Sequence, residues 1–186
     1  MMRKSVAVVV GAAFLAVVGC EGAPLITRVT DTDRSLVVGF IDMRDAPSEL
    51  EWVTFKQVFP RVDPPYWRGE AKGGVFYHIL PRGAYVVYSF GGAARNPFMG
   101  SSSYAYKMPP YGGAATRFKI DRAGAVYFLG SYRFVMGESP GFFSTAKFDI
   151  VPAGGPPEAD ILKYLLSDAV GTYWEGVIKR RLEGTR

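Results

Sequence analysis

Thiols and imidazoles are almost missing from this chain: Cys20 and His78 are single examples of their kinds in 186 residues. One cysteine excludes an internal disulfide, and with only one histidine beside it the usual zinc ligand sets are excluded too. Long runs of one charge are also absent. The densest cationic cluster is Lys179-Arg180-Arg181, so nothing in the charge pattern marks a nucleic-acid binder. No G-x-G-x-x-G or P-loop pattern follows a strand and opens a helix. Nor does any apolar run reach the roughly 20 residues that a spanning helix requires.

What is present begins at the N-terminus. Met1-Met2-Arg3-Lys4 precedes an uncharged run from Ser5 to Cys20, whose apolar centre is Val6 to Val18. A positive start, a short apolar stretch and small residues at its end make a processing signal. The same run could also be a buried core helix with an incidental cysteine. The ending Val17-Val18-Gly19-Cys20 resembles the lipobox of bacterial lipoproteins. That resemblance implies cleavage before Cys20, a diacylglycerol on its sulfur and an acyl chain on the new amino group. No other cofactor is expected. Two or three acyl chains hold a protein stably on a bilayer where one does not. Glu21 follows the cysteine where an inner-membrane retention signal would carry Asp, which implies the outer membrane, periplasmic side.

On this reading residues 1–19 are a signal peptide and residues 20–33 are the lipidated N-terminus with a short tether. Loss of Arg3 and Lys4 lowers the net charge from +5 to +3 and leaves a body with no free thiol. A body of that kind suits an oxidising periplasm.

Strand signals then dominate. Residues 35–43 read as a strand with Gly39 marking a bulge or a close approach. Residues 50–59 alternate, with Val53, Phe55, Gln57 and Phe59 on the core side. Residues 60–74 read as a loop with room for a short edge strand. Residues 75–80 and 84–90 form a hairpin around Pro81-Arg82-Gly83, and 91–114 read as a long loop. Residues 115–120 and 124–135 form a second hairpin, and 141–151 the last strand. Leu25 to Val29 is a candidate for an additional early strand. Apolar Ile161, Leu162, Leu165, Leu166 and Ala169 recur at helical spacing. After Gly171, Thr172-Tyr173-Trp174-Glu175 matches a capping box that opens a second helix. The expected fold is mainly β: a single antiparallel β-sandwich of about seven strands over 34–151, with a helical appendage over 152–186 packed on it.

Two stretches, Phe76 to Tyr85 and Phe118 to Gly130, resemble the strand and turn pattern of small transthyretin-like or carboxypeptidase-regulatory-like β-sandwich lipoproteins. The resemblance implies a fold and an envelope location, and implies no chemistry.

Candidate chemistry is sparse. His78 lies mid-strand, distant in pattern from the hydroxyls of Ser101-Ser102-Ser103, so no triad is assembled. Asp31-Thr32-Asp33 begins like a calcium loop but lacks the glycine and distal glutamate. Glu49 and Glu51 share a strand face without a facing carboxylate. Aromatics assigned to loops, namely Tyr66, Trp67, Phe98, Tyr104, Tyr106 and Tyr111, are candidate contacts for an envelope protein partner, since rigid rings offer large area at small entropic loss. They could equally fold back over the ends of the sandwich. The expectation is a non-enzymatic interaction or structural module held at the outer membrane by Cys20, with no catalytic or metal-binding residue. Membership of a secretion or assembly complex is the alternative, and an envelope-polymer hydrolase ranks third.

Overall fold

The computed structural model describes Ile26 and residues 32–95, 103–108, 116–137 and 148–184. Cys20 with Val17, Val18 and Gly19, the rings of Phe98 and Tyr111, and most of the 25–29 and 141–151 segments lie outside these residues. The described part is mainly β with two C-terminal helices.

Its strands are β1 (Arg34–Asp42), β2 (Trp52–Phe59), β3 (Tyr66–Lys72), β4 (Val75–Pro81), β5 (Gly83–Ala93), β6 (Ser103–Lys107), β7 (Arg117–Ile120), β8 (Val126–Met136) and β9 (Phe148–Pro152). The helices are α1 (Glu158–Ala169) and α2 (Tyr173–Glu183). Three expectations are corrected. The strands number nine among the described residues, where about seven were expected. They belong to one hydrogen-bonded sheet, ordered β6-β5-β2-β3-β4-β1-β8-β9 with β7 beside β5, where two packed sheets were expected. The sheet is also not wholly antiparallel, because β1 runs parallel to β8.

The sheet curls nearly closed, like a barrel. Its two ends in the strand order meet through rings: Tyr106 of β6 lies 5.3 Å from Phe148 of β9 and 4.9 Å from Phe134 of β8, centroid to centroid. Alternation along each strand divides the side chains between an inner and an outer core. Val37 and Ile41 of β1, Phe55 of β2, Phe76 and Leu80 of β4 and Phe90 of β5 point inward. Leu36 and Val38 of β1 and Val75, Tyr77 and Ile79 of β4 point outward, under the helices. That outer core takes Ile161, Leu162, Leu165 and Ala169 of α1 and Trp174, Val177 and Ile178 of α2. Ile26, also fully buried there, is in a helical conformation and not in the early strand expected.

Gly39 does both things expected of it. The β1–β8 register shifts between Val38 and Phe40, and a Cβ at Gly39 would lie 2.3 Å from Cζ of Phe76. Gly171 takes φ +76° between the helices, a conformation that side chains resist. The Thr172 hydroxyl oxygen accepts from the Trp174 amide at 3.2 Å, and Glu175 accepts from the Gly171 amide at 2.7 Å, so the capping signal closes the start of α2. Two cations of the Lys179-Arg180-Arg181 cluster are paired: Lys179 with Glu175 at 2.6 Å and Arg181 with Glu158 across the helix pair at 2.7 Å.

Candidate binding face

The helices cover the outside of β1 and β4, and no helix among the described residues covers the outer face of β2, β5 and β7. Alternation decides what that face displays. Phe55 and Gln57 turn inward on β2, so Lys56 and Val58 turn out. On β7 Phe118 and Ile120 turn in, so Arg117 and Lys119 turn out. Register then brings these residues into rows. Lys56 is opposite Tyr66 on one side and Val86 on the other, Val86 is opposite Arg117, and Ala84 is opposite Lys119. On β5 the pairing with β2 shifts between Val87 and Ser89, leaving Tyr88 as the extra residue of a bulge. Such a bulge re-aims a side chain, and here it sets Tyr88 beside Tyr66, with centroids 5.0 Å apart.

The result is an open groove of about 680 Å³ floored by Ala84 and Val86 and walled by Lys56, Tyr88, Arg117 and Lys119. Lys56 Nζ lies 5.9 Å from the Tyr66 ring centroid and Lys107 Nζ lies 5.2 Å from that of Tyr88. The Lys107 ammonium donates to the Tyr88 hydroxyl, which holds the Tyr88 pKa below the usual tyrosine value and raises that of Lys107. Further along, the Arg68 guanidinium lies 4.8 Å from the Trp52 ring centroid. Strands β2, β5, β6 and β7 contain no aspartate or glutamate. Among the described residues Lys56, Lys107 and Lys119 have no carboxylate within ion-pair distance. The neighbouring acids are engaged elsewhere: Glu70 accepts from Tyr77 at 2.7 Å, and Asp121 accepts from the Tyr127 hydroxyl.

A second recess, of about 410 Å³, lies at the opposite end of the barrel between Asp42, Arg44, Glu49 and Arg95. It is charge-balanced. Arg44 grips Asp42 at 2.6 Å, and that hydrogen bond holds the Asp42 carboxyl below its usual pKa.

The aromatic residues singled out from sequence have separate fates. Tyr66 and Trp67 are on β3, an interior strand between β2 and β4, and not in a loop. Tyr66 is 45% exposed and borders the groove. Trp67 faces the inner core and donates from Nε1 to Gln57 Oε1 at 3.2 Å. Tyr104 and Tyr106 are on β6, again not in a loop. Their rings stack on each other, and the Tyr106 hydroxyl shares a buried hydrogen bond with Ser48. Phe98, Tyr111 and Cys20 fall outside the described residues.

His78 faces inward on β4. Its ring stacks on Phe55 at 6.2 Å and tilts against Trp67 at 6.2 Å. Neither ring nitrogen has a hydrogen-bond partner among the described residues. Burial first, then the positive charge of Arg34, pushes its pKa down to about 4, with Glu70 pulling weakly the other way. A histidine so placed is neutral at pH 7 and enclosed by rings, away from solvent. Among the described residues no group of three acidic, histidine or cysteine side chains could hold a metal ion.

The cationic face was hidden from the sequence because its members are scattered from position 56 to position 119 and only strand register collects them. The one available signal was the outward half of the alternation at Lys56 and Val58. Among known proteins, no family model, no curated protein and no solved structure matches this chain.

Proposed function

We propose that this is a lipid-anchored protein of the cell envelope whose body serves as a non-enzymatic interaction module on the periplasmic side of the outer membrane. The single observation that supports an interaction role is the outer face of β2, β5 and β7, uncovered by the described helices, cationic, aromatic and without a carboxylate on its strands. Surfaces of that composition suit contact: rings give area, and a cationic excess attracts an anionic surface. The anchor half of the reading rests on Val17-Val18-Gly19-Cys20 and the short apolar run before them. The strand-and-turn likeness of Phe76–Tyr85 and Phe118–Gly130 to small transthyretin-like lipoproteins belongs to the same reading for its envelope location, not for a two-sheet sandwich.

The anchor is tested by Cys20→Ala. The substituted chain should lose incorporation of a labelled fatty acid and leave the membrane fraction. Undiminished labelling, with normal membrane retention, would remove the anchor from the proposal.

A further inference from the structure

We infer that the β2–β5–β7 face, with the barrel end that adjoins it, lies against the bilayer and binds the phosphate-bearing headgroups of anionic lipids. The inference deepens the anchored reading and rests on it. Three observations converge.

The first is charge. Lys56, Lys107 and Lys119 share one face whose strands hold no carboxylate; Asp121, just past β7, offsets part of the charge of Lys119, and the face keeps a cationic excess. An anionic leaflet is the extended surface that complements such a spread of cations.

The second is the apolar fringe of that face. Phe59 is 71% exposed, Val58 45% and Val62 38%, which are large exposures for side chains of this kind. They cluster at one end, where Phe59 and Pro60 share a recess of about 290 Å³ with Arg82 and Lys119. Apolar tips flanked by long cationic side chains suit the boundary between headgroups and acyl chains. There the rings enter the boundary and the ammonium groups stay at phosphate level. A soluble anionic ligand would have no use for the tips.

The third is placement. Arg34, which opens β1, is opposite Pro81 at the end of β4, and a Cβ on Gly83 of the following turn would lie 2.6 Å from the Phe59 carbonyl oxygen. The chain arriving from Cys20 therefore enters β1 at the barrel end that carries Phe59. Ile26 is fixed in the outer core. Only five residues lie between it and Cys20, six steps along the chain and at most about 20 Å when extended. A leash that short keeps the body at the membrane surface; it limits the distance and not the orientation, which the charge and the apolar fringe select.

The test uses the lipidated full chain with Val62→Cys. The described body contains no other thiol, so a polarity-sensitive fluorophore can be placed there alone. The protein is reconstituted into nanodiscs of phosphatidylcholine, or of an equal mixture with phosphatidylglycerol. A several-fold rise and blue shift of emission is expected on the anionic discs only. Molar salt should abolish it, because screening then shortens to about 3 Å. It should also be lost in Lys56→Glu/Lys119→Glu, while a label at Ser167→Cys on α1 stays unchanged. The salt arm keeps every cation of the face, so it stands even if the charge reversal misfolds. Equal emission on both kinds of disc, or emission indifferent to salt, would overturn the inference. So would a photocrosslinker at Val86 that attaches in cells to protein and not to lipid. If the chain fails to stay on neutral discs, the anchor reading has failed separately. The face is then read from direct binding: retention on anionic discs upholds it, and none sinks it.

Discussion

Tyr106 and Phe148 stand on strands at opposite ends of the sheet order, yet their rings meet edge to face at 5.3 Å. This contact, with Tyr106 against Phe134 and Phe90 against Phe148, closes the curl where no backbone ladder joins the edges among the described residues. Curling is what lets one sheet enclose a core, since a flat nine-stranded sheet would leave one apolar side wet.

Truncation at Tyr106 should therefore damage the fold and not a surface. Tyr106→Ala should lower unfolding free energy by about 3 kcal/mol or more, from the lost ring and the stranded Ser48 hydroxyl. Tyr106→Phe keeps the ring and removes only the hydrogen bond, so its loss should be about 1 kcal/mol. Urea denaturation followed by tryptophan fluorescence measures both. Equal losses for the two would mean that the hydroxyl, and not the ring stack, holds the seam.

Gly39 is the second tight point. A methyl group there would sit 2.3 Å from Cζ of Phe76, a ring enclosed by the inner core with little room to retreat. Gly39→Ala should destabilise by roughly 2 kcal/mol through overpacking. The cause predicts its own rescue: Phe76→Leu shortens the opposing side chain, so the double variant should be more stable than the sum of the single losses allows. Strict additivity in a denaturation cycle would show that strain at Gly39 comes from somewhere other than Phe76.

The residues that were readable from sequence and those that were not differ for physical reasons. Residues 52–57 alternate and α1 repeats its apolar residues at helical spacing, so local pattern sufficed there; Phe59, which the same alternation put on the core side, is 71% exposed instead, past a register shift between Gln57 and Phe59. β3 read as no more than a short edge strand in a loop, because its inward positions are Trp67, Gly69 and Ala71, two of them too small to register as a core stripe, and prolines precede it; it is an interior strand. A larger side chain at 69 is barred, since a Cβ there would lie 2.6 Å from the Tyr77 carbonyl oxygen and 3.2 Å from Cβ of His78. β6 is five residues in a Gly- and Ser-rich neighbourhood, and its rings read as loop aromatics. The parallel pairing of β1 with β8 joins positions about ninety apart, which no local pattern encodes. The groove shares that fate. Each cation is unremarked on its own strand, and only the register of β2, β5 and β7 makes them a face.

His78 ties the inner core to pH. In the fold its pKa is pushed from the ordinary 6.5 down to about 4, chiefly by burial. In the unfolded chain it takes a proton near the ordinary value. Between these limits the unfolded state binds more protons than the folded one, so acid favours unfolding. The stability that neutral His78 contributes is full above about pH 6.5, falls as pH drops towards 4, and is gone below that. The interval corresponds to roughly 3 kcal/mol in all. Most of this window lies above the range in which the acid groups with lowered pKa values, Asp42, Asp121 and Glu175, begin to protonate. Urea midpoints taken from pH 7.5 to pH 4 should decline steadily for the natural chain. His78→Leu should flatten that decline and match or exceed the natural stability at pH 7, because it removes two buried nitrogens that have no partner. A natural chain whose midpoint holds constant from pH 6.5 to 4.5 would show that His78 finds a proton acceptor or solvent in the folded state.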